Sequence, residues 1–299
     1  MFDKVLIGVD GRSGGRDAIA LARQLVSGKG RLVLAHVYRE ASAVSFGAGL
    51  VVDDRRRAEE LVTAQRRVTG VEAETVVRLD GPPGRGLHQI AEHEHADVLV
   101  VGSSHRGPLG RVLVGDDTQA ALNGAPCAVA IAPRGYALAN GPWTTIGVGD
   151  DGSAESELAR AAARELAARH HATVRLRSVV ALQSLPACEE EPAEWTSPTV
   201  EAVERERRRL GEIEGVVGDV VYGDASEELA RFAAEVDLLI VGSRGYGPLG
   251  RLVNGSTSIS LARHCPRPLL VMPRCLTERG QRLPGGPSRD PRALAAPAF

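Results

Sequence analysis

Residues 97–116, DVLVVGSSHRGPLGRVLVGD, align without a gap on residues 237–256, DLLIVGSRGYGPLGRLVNGS, and eleven of the twenty positions are identical. The offset between the two stretches is 140 residues. Earlier landmarks follow at nearly the same spacing: Asp10-Gly11 matches Asp151-Gly152, and Val37 matches Val179. A period of this size is far too long for a solenoid, so the 299-residue chain reads as one domain duplicated in tandem, each copy long enough to bury its own core. The expected boundaries are 1–133 for the first domain and 143–273 for the second. A Gly-, Pro- and Asn-containing join runs between them, and a proline-rich tail, 274–299, is expected to be disordered.

Within each copy, short apolar runs alternate with amphipathic stretches. In the first copy, residues 5–9, 32–37, 75–79, 98–101 and 128–131 read as buried strands. Between the first two, residues 14–26 place Ala18, Ile19, Ala22, Leu25 and Val26 on one helical face, with Ser13 as the expected N-cap. The corresponding helix of the second copy follows Ser153 and is expected to bury Leu158, Ala162 and Leu166. Such alternation implies an α/β fold whose parallel sheet is covered by helices on both faces, with ligands beyond the carboxyl ends of its strands. Residues 181–198, with three prolines and the acidic run Glu189, Glu190 and Glu191, read as a mobile loop.

The most informative segment is Gly242-Ser-Arg-Gly245, followed by nine residues and then Gly255-Ser256-Thr257. It leaves a buried strand and enters a helix. Glycines there let several main-chain N–H groups point into one space, and the helix N-terminus adds about half a positive charge. Ser256 and Thr257 add hydroxyl donors, so the segment has the makings of a phosphate cradle. A glycine-rich turn that merely reverses the chain has the same pattern, and the residues alone leave both readings open.

The spacing G-x2-G-x9-G-S/T after a VGS strand end, with an opening strand that runs into Asp-Gly-Ser, resembles the universal stress protein family in its tandem-domain form. The resemblance covers residues 5–273. It implies two tandem five-stranded parallel-sheet domains with helices on both faces, of the adenine nucleotide alpha hydrolase-like class, binding ATP. By that resemblance the adenine aspartate falls on Asp151, its apolar neighbours on Val179 and Val241, and the phosphate residues on Gly242, Gly245, Gly255 and Ser256, with Thr257 beside them.

The first copy departs from this pattern. It keeps Gly102 and Gly115 but has His105 in place of the second glycine and Asp116, followed by Asp117, in place of the hydroxyl residue. A carboxylate ~4 Å from a phosphate charge, at an effective dielectric of ~20, costs about 4 kcal/mol, a thousandfold in affinity. The first copy is therefore expected to be a structural or regulatory partner, although Asp10 and Val37 remain suited to an adenosine.

Weaker patterns carry less. Gly245-x-Gly247-x-x-Gly250 fits a dinucleotide fingerprint, but no acidic residue follows at the ribose distance, and neither lysine of the chain sits in a Walker A frame. Gly11-x-Ser13-x-Gly15 imitates a nucleophile elbow that the second copy loses. His88, Glu92 and His95 fall at i, i+4 and i+7 of a helical stretch, which reads as a solvated face rather than a metal site. Asn254-Gly-Ser is a formal glycosylation sequon without a secretory signal before it. Cys127, Cys188, Cys265 and Cys275 have no metal-ligand spacing and read as reduced thiols.

A net charge of -2 gives no basic field, and ten aromatic residues (four Phe, four Tyr, two Trp) supply few stacking platforms, so no nucleic-acid partner is expected. The opening ten residues lack a signal-peptide pattern and no run of 18 apolar residues occurs, so no membrane partner and a cytoplasmic location are expected. The expected ligand is ATP, alone or with Mg, held mainly by the second domain of a nucleotide-dependent stress sensor with at most slow ATP hydrolysis. The alternatives are a slow ATPase or nucleotide-transferring enzyme on the same fold, and a nucleotide-free dimerisation scaffold. The last strands of the copies, residues 128–131 and 269–272, are short and apolar; the resemblance implies that each is an exposed edge used for pairing, either between two chains or between the two copies of one chain.

Overall fold

The computed structural model of the chain describes residues 2–39, 49–103, 116–139, 141–180, 198–243 and 256–273. The first copy runs β1 (Lys4–Gly8), α1 (Ser13–Leu25), β2 (Arg31–Tyr38), α2 (Gly49–Thr69), β3 (Glu74–Leu79), α3 (Pro83–His93), β4 (Val98–Gly102), α4 (Asp116–Leu122) and β5 (Ala128–Ala132). A short α5 (Tyr136–Ala139) lies in the join. The second copy repeats the order as β6 (Thr145–Gly149), α6 (Ala154–His170), β7 (Thr173–Val180), α7 (Pro198–Gly211), β8 (Val217–Tyr222), α8 (Ala225–Ala233), β9 (Leu238–Gly242), α9 (Ser256–His264) and β10 (Leu269–Met272). The expected loop at 181–198 lies outside the described residues except for Pro198, which opens α7, and so does the tail from 274 onward.

Local sequence explains the helix starts. Ser153 caps α6 by accepting the N–H of Ser156 at 3.2 Å, and Asp224 caps α8 by accepting the N–H groups of Ser226 and Glu227. Ser13 departs from expectation: it is the first helical residue of α1, and Arg12 holds the cap position without a side-chain cap. Ala18, Ile19, Ala22 and Leu25 are buried as the 3.6-residue period predicts, as are Ala162 and Leu166 in α6, while Leu158 is only half-buried. Asp97 and Asp237 fasten equivalent corners. The first accepts the N–H groups of Asp3 and Lys4, the second those of Thr144 and Thr145.

The strands form one ten-stranded sheet in the order β3-β2-β1-β4-β5-β10-β9-β6-β7-β8. Every pair within a copy is parallel. The last strands join the copies: β5 and β10 run antiparallel, with Leu269 opposite Ile131, Leu270 opposite Ala130 and Val271 opposite Val129. Of the two pairings expected for these apolar edges, the chain makes the internal one. Alternate residues of the central strands point to opposite faces, so each face carries a core that runs across both copies. Val5, Val100, Ala130, Leu270, Ile240 and Val148 pack under α1, α2, α6 and α7. Leu6, Leu99, Val129, Val271, Leu239 and Phe232 belong to the core under α3, α4, α8 and α9.

The join is strapped to α1 and α6. Buried Asp17 of α1 accepts the N–H groups of Gly135 (3.0 Å) and Ala137 (2.8 Å). Tyr136 donates its hydroxyl to Gln24 at 2.7 Å and accepts Trp143 Nε1–H at 3.1 Å, and burial pushes its pKa to about 12. At the far end of α6, Arg169 donates to the carbonyls of Gln24 and Val26, and the His170 ring packs tilted against Trp143, with ring centroids 4.7 Å apart. A guanidinium at these carbonyls also suits the negative end of the α1 dipole.

Leu270 is fully buried in the strand that joins the copies. Leu270→Arg puts an unpaired charge there and should lower the stability of the chain by roughly 3–5 kcal/mol. Denaturant unfolding reads the loss, and sedimentation velocity should show no wild-type dimer that the variant splits.

Candidate functional site

In the second copy β6 is followed, through α6, by β7 on one side, while β9 lies on its other side. The sheet order therefore reverses at β6. The loop after β6 leaves toward the face covered by α6, and the chain after β9 returns through α9 on the opposite face. Such a reversal of strand order, here at the carboxyl ends of β6 and β9, is where open α/β sheets take their ligands.

The expected site residues converge on this edge. Gly149 ends β6 opposite Val241 of β9 and Arg177 of β7, so the loop beginning two residues later at Asp151 stands between Val179, near the end of β7, and Val241-Gly242. Asp151 is exposed, and its carboxylate accepts the N–H of Ser153 at 3.0 Å and the Ser153 hydroxyl. Gly152 turns the chain at φ +75, a left-handed conformation that glycine adopts without strain. Val241 is buried and Val179 half-buried. Ser256 is the first residue of α9 and Thr257, half-buried, follows in the same turn. Gly245 and Gly255 lie outside the described residues.

Gly242 has a structural duty of its own. A Cβ there would lie 2.6 Å from Cβ of Glu155 and 2.9 Å from its carbonyl carbon, because the end of β9 presses on the first turn of α6. The first copy repeats this contact, with Gly102 pressed on the backbone of Gly14. The first glycine of the motif is thus required by packing, independently of any ligand. Next to it, the Ser243 hydroxyl is buried and has no hydrogen-bond partner among the described residues, although its N–H is satisfied by Met272.

In the first copy Asp10 accepts the N–H of Arg12 at 3.0 Å and Gly11 has φ +79, so the loop after β1 matches the one after β6. Asp116 and Asp117 open α4, as expected, while His105 and Gly115 lie outside the described residues. The His88, Glu92, His95 arrangement does not form one helical face. The helix ends at His93, His95 turns at φ 49, and His88 Nε2 is engaged by the carbonyl of Ala121 at 2.8 Å. No group of three metal-ligating side chains occurs among the described residues. Cys127 and Cys265 are buried, and burial pushes the Cys265 thiol up to about 11; Cys188 and Cys275 lie outside the described residues.

Sequence reasoning missed the residue before Asp151. Asp150 has a fully buried carboxylate that accepts the N–H of Gly152 (2.9 Å) and pairs with Arg160 of α6 and Arg209 of α7. Burial opposes the charge on Arg209, but hydrogen bonds and charge from Glu206 and Asp150 outweigh it and raise the Arg209 pKa above its ordinary value. The signal was present in the repeat: Asp150 aligns with Val9 and Arg160 with Ile19, charged residues at apolar places.

The family model of the universal stress protein family matches residues 1–133 and again residues 142–273. The chain belongs to the universal stress protein family. A universal stress protein of Mycobacterium tuberculosis is 27% identical over 219 residues, 70% of this chain and 75% of that protein. A shorter one from Thermus aquaticus is 29% identical over 133 residues, 43% of this chain and 97% of its own length, as a single copy would be. The crystal structure of a universal stress protein from Archaeoglobus fulgidus superposes with a TM-score of 0.68 at 18% identity, covering 92% of this chain and 99% of that one, and so shares the tandem fold. Among the described residues of this universal stress protein no helix is long and apolar enough to cross a membrane.

The contact at Gly242 makes a testable demand. Gly242→Ala must push β9 away from α6, costing about 1–3 kcal/mol of stability in denaturant unfolding whether or not a ligand is present.

Proposed function

We propose that this universal stress protein is a nucleotide-dependent stress sensor whose second domain, residues 143–273, binds ATP, alone or with Mg. The observation that carries the reading is the sheet edge at the reversal of strand order. It gathers the Asp151 loop, the apolar ends of β7 and β9, and a helix that opens with Ser256 and Thr257 rather than with acids. The buried hydroxyl of Ser243, which has no hydrogen-bond partner among the described residues, supports it, since such a group is one that a polar ligand or its cradle can satisfy. Asp151 would hold the adenosine, with Val179 and Val241 against the adenine ring. The chain from Gly242 to Thr257, through Gly245, Gly255 and Ser256, would hold the phosphates by main-chain N–H groups and hydroxyls. These residues bind and orient; the nucleotide supplies a charged group whose presence distinguishes the loaded state from the free one.

The first domain, residues 1–133, is proposed as a silent partner. Its loop after β1 keeps the same geometry, but α4 opens with Asp116 and Asp117, whose charges oppose an anion at that helix end.

Calorimetry should therefore find one ATP per chain, and Gly245→Asp should abolish the binding while circular dichroism stays unchanged. Two equivalent sites in the wild type would refute the assignment. In the double variant His105→Gly/Asp116→Ser a second, weaker site should appear, with Asp117 as the residual penalty. Steady-state phosphate release should be slow; turnover at ordinary enzyme rates would favour an ATP-hydrolysing enzyme instead.

A further inference from the structure

The two copies hold the loop after their first strand by opposite chemistry. The strand registers place Val5 against Val98 and Ile146 against Leu238, which puts Val9 and Asp150 at equivalent positions, and Ile19 and Arg160 at equivalent places in the second turn of the helices that follow. A Cβ on Gly11 would meet Leu61 at 3.0 Å, and a Cβ on Gly152 would meet the Arg209 guanidinium at 3.5 Å, so Leu61 and Arg209 also correspond. In the first copy the three side chains are apolar, with Val9 and Ile19 buried and Leu61 packed against the same core. In the second they are Asp150, Arg160 and Arg209.

The charged trio forms a continuous chain of hydrogen bonds. Asp150 Oδ1 accepts Gly152 N–H at 2.9 Å and Arg209 Nη1–H at 2.7 Å, and its other oxygen accepts from Arg160. Arg209 then donates from Nε and Nη2 to Glu206 Oε2 at 3.0 and 2.8 Å, and that oxygen also accepts the Ser178 hydroxyl at 2.9 Å. The chain thus joins the loop that carries Asp151 to α6, to α7 and to β7. Stability does not account for it, because a buried ion set must overcome the desolvation of every member and an apolar trio of similar size does as well or better. What the ions add is direction. Val9 offers no acceptor to the N–H of Gly11, whereas Asp150 captures that of Gly152 and is itself aimed by an arginine on α7.

We propose that Asp150 is a positioning residue for the ligand loop of the second domain, and that through Arg209 it couples occupancy of that loop to the docking of α7. The ligand half of this statement rests on the second domain binding ATP. Coupling of this kind is reciprocal: ATP that firms the loop firms α7, and loosening α7 weakens ATP. The first domain, with its apolar trio, transmits nothing between the equivalent elements.

The test uses the full chain and three forms: wild type, Asp150→Asn, and the triple variant Asp150→Val/Arg160→Ile/Arg209→Leu, which installs the packing of the first domain. ATP titration and residue-resolved amide exchange are measured on each. The triple variant should keep the wild-type unfolding midpoint, exchange the Gly152 amide about tenfold faster, bind ATP about tenfold more weakly, and lose the slowing of α7 exchange that ATP causes in wild type. Wild-type affinity together with unchanged Gly152 exchange in the triple variant would overturn the proposal and leave the trio a packing alternative. Asp150→Asn, which keeps the side-chain volume, decides the matter in the same way if the triple variant does not fold. Should wild type bind no ATP, the nucleotide assignment fails, and exchange in the free protein judges the positioning role. Faster exchange at Gly152 and in α7 of Asp150→Asn supports it, and unchanged exchange at both overturns it.

Discussion

A strand that is apolar on both faces and paired on one side only has an edge of N–H and C=O groups that neither water nor the core can satisfy well. Both β5 and β10 are such strands, and the antiparallel ladder between them resolves both edges at once. Much of the molecule follows from that ladder. It merges two five-stranded sheets into one and lets a core on each face run through both copies. Because the copies are internally parallel and mutually antiparallel, it also sends the carboxyl ends of their strands to opposite edges of the sheet. The two candidate sites therefore stand apart.

Within each copy the candidate site is placed by strand order. A chain that builds outward from β6 to β7 and β8, then returns to β9 on the other side, sends the connections before the return over one face and those after it over the other. What distinguishes the copies is the side chains placed around that edge. Gly102 and Gly242 are common to both because each lies against the first turn of the first helix of its copy, where a Cβ does not fit. The opening of the fourth helix differs, with two aspartates in one copy and Ser256-Thr257 in the other, and so does the support of the first loop, apolar beneath Gly11 and ionic beneath Gly152.

The same contrast shows how conserved architecture and changed chemistry coexist in a duplicated chain. Asp97 and Asp237 do identical work, receiving the main-chain N–H groups at the start of the first strand of each copy. Val9 and Asp150 occupy one position and do different work. The join, by contrast, has no counterpart in the repeat. Its Tyr136 and Trp143 use their polar ends on Gln24 and each other while their rings are buried in the core.

The repeat of residues 97–116 in 237–256, the short continuous apolar runs, the 3.6-residue period between them and the strand-ending glycines were enough to fix the α/β class, the duplication and the strand positions, because these depend on neighbours a few residues away. The loops at Asp10 and Asp151 were legible for the same reason: an aspartate followed by glycine turns the chain by local hydrogen bonds. Four things were decided only by the tertiary structure. The last strands pair within the chain, although their apolar sequences suit a second chain equally well. Gly242 is needed against Glu155, 87 positions earlier in the sequence. His88 is engaged by the carbonyl of Ala121, and Asp150 meets Arg209 across 59 residues. Periodicity tells which face of an element is buried but not which distant group lies beneath it, and a charge at an apolar position can be assigned a partner only once the chain between them has been folded.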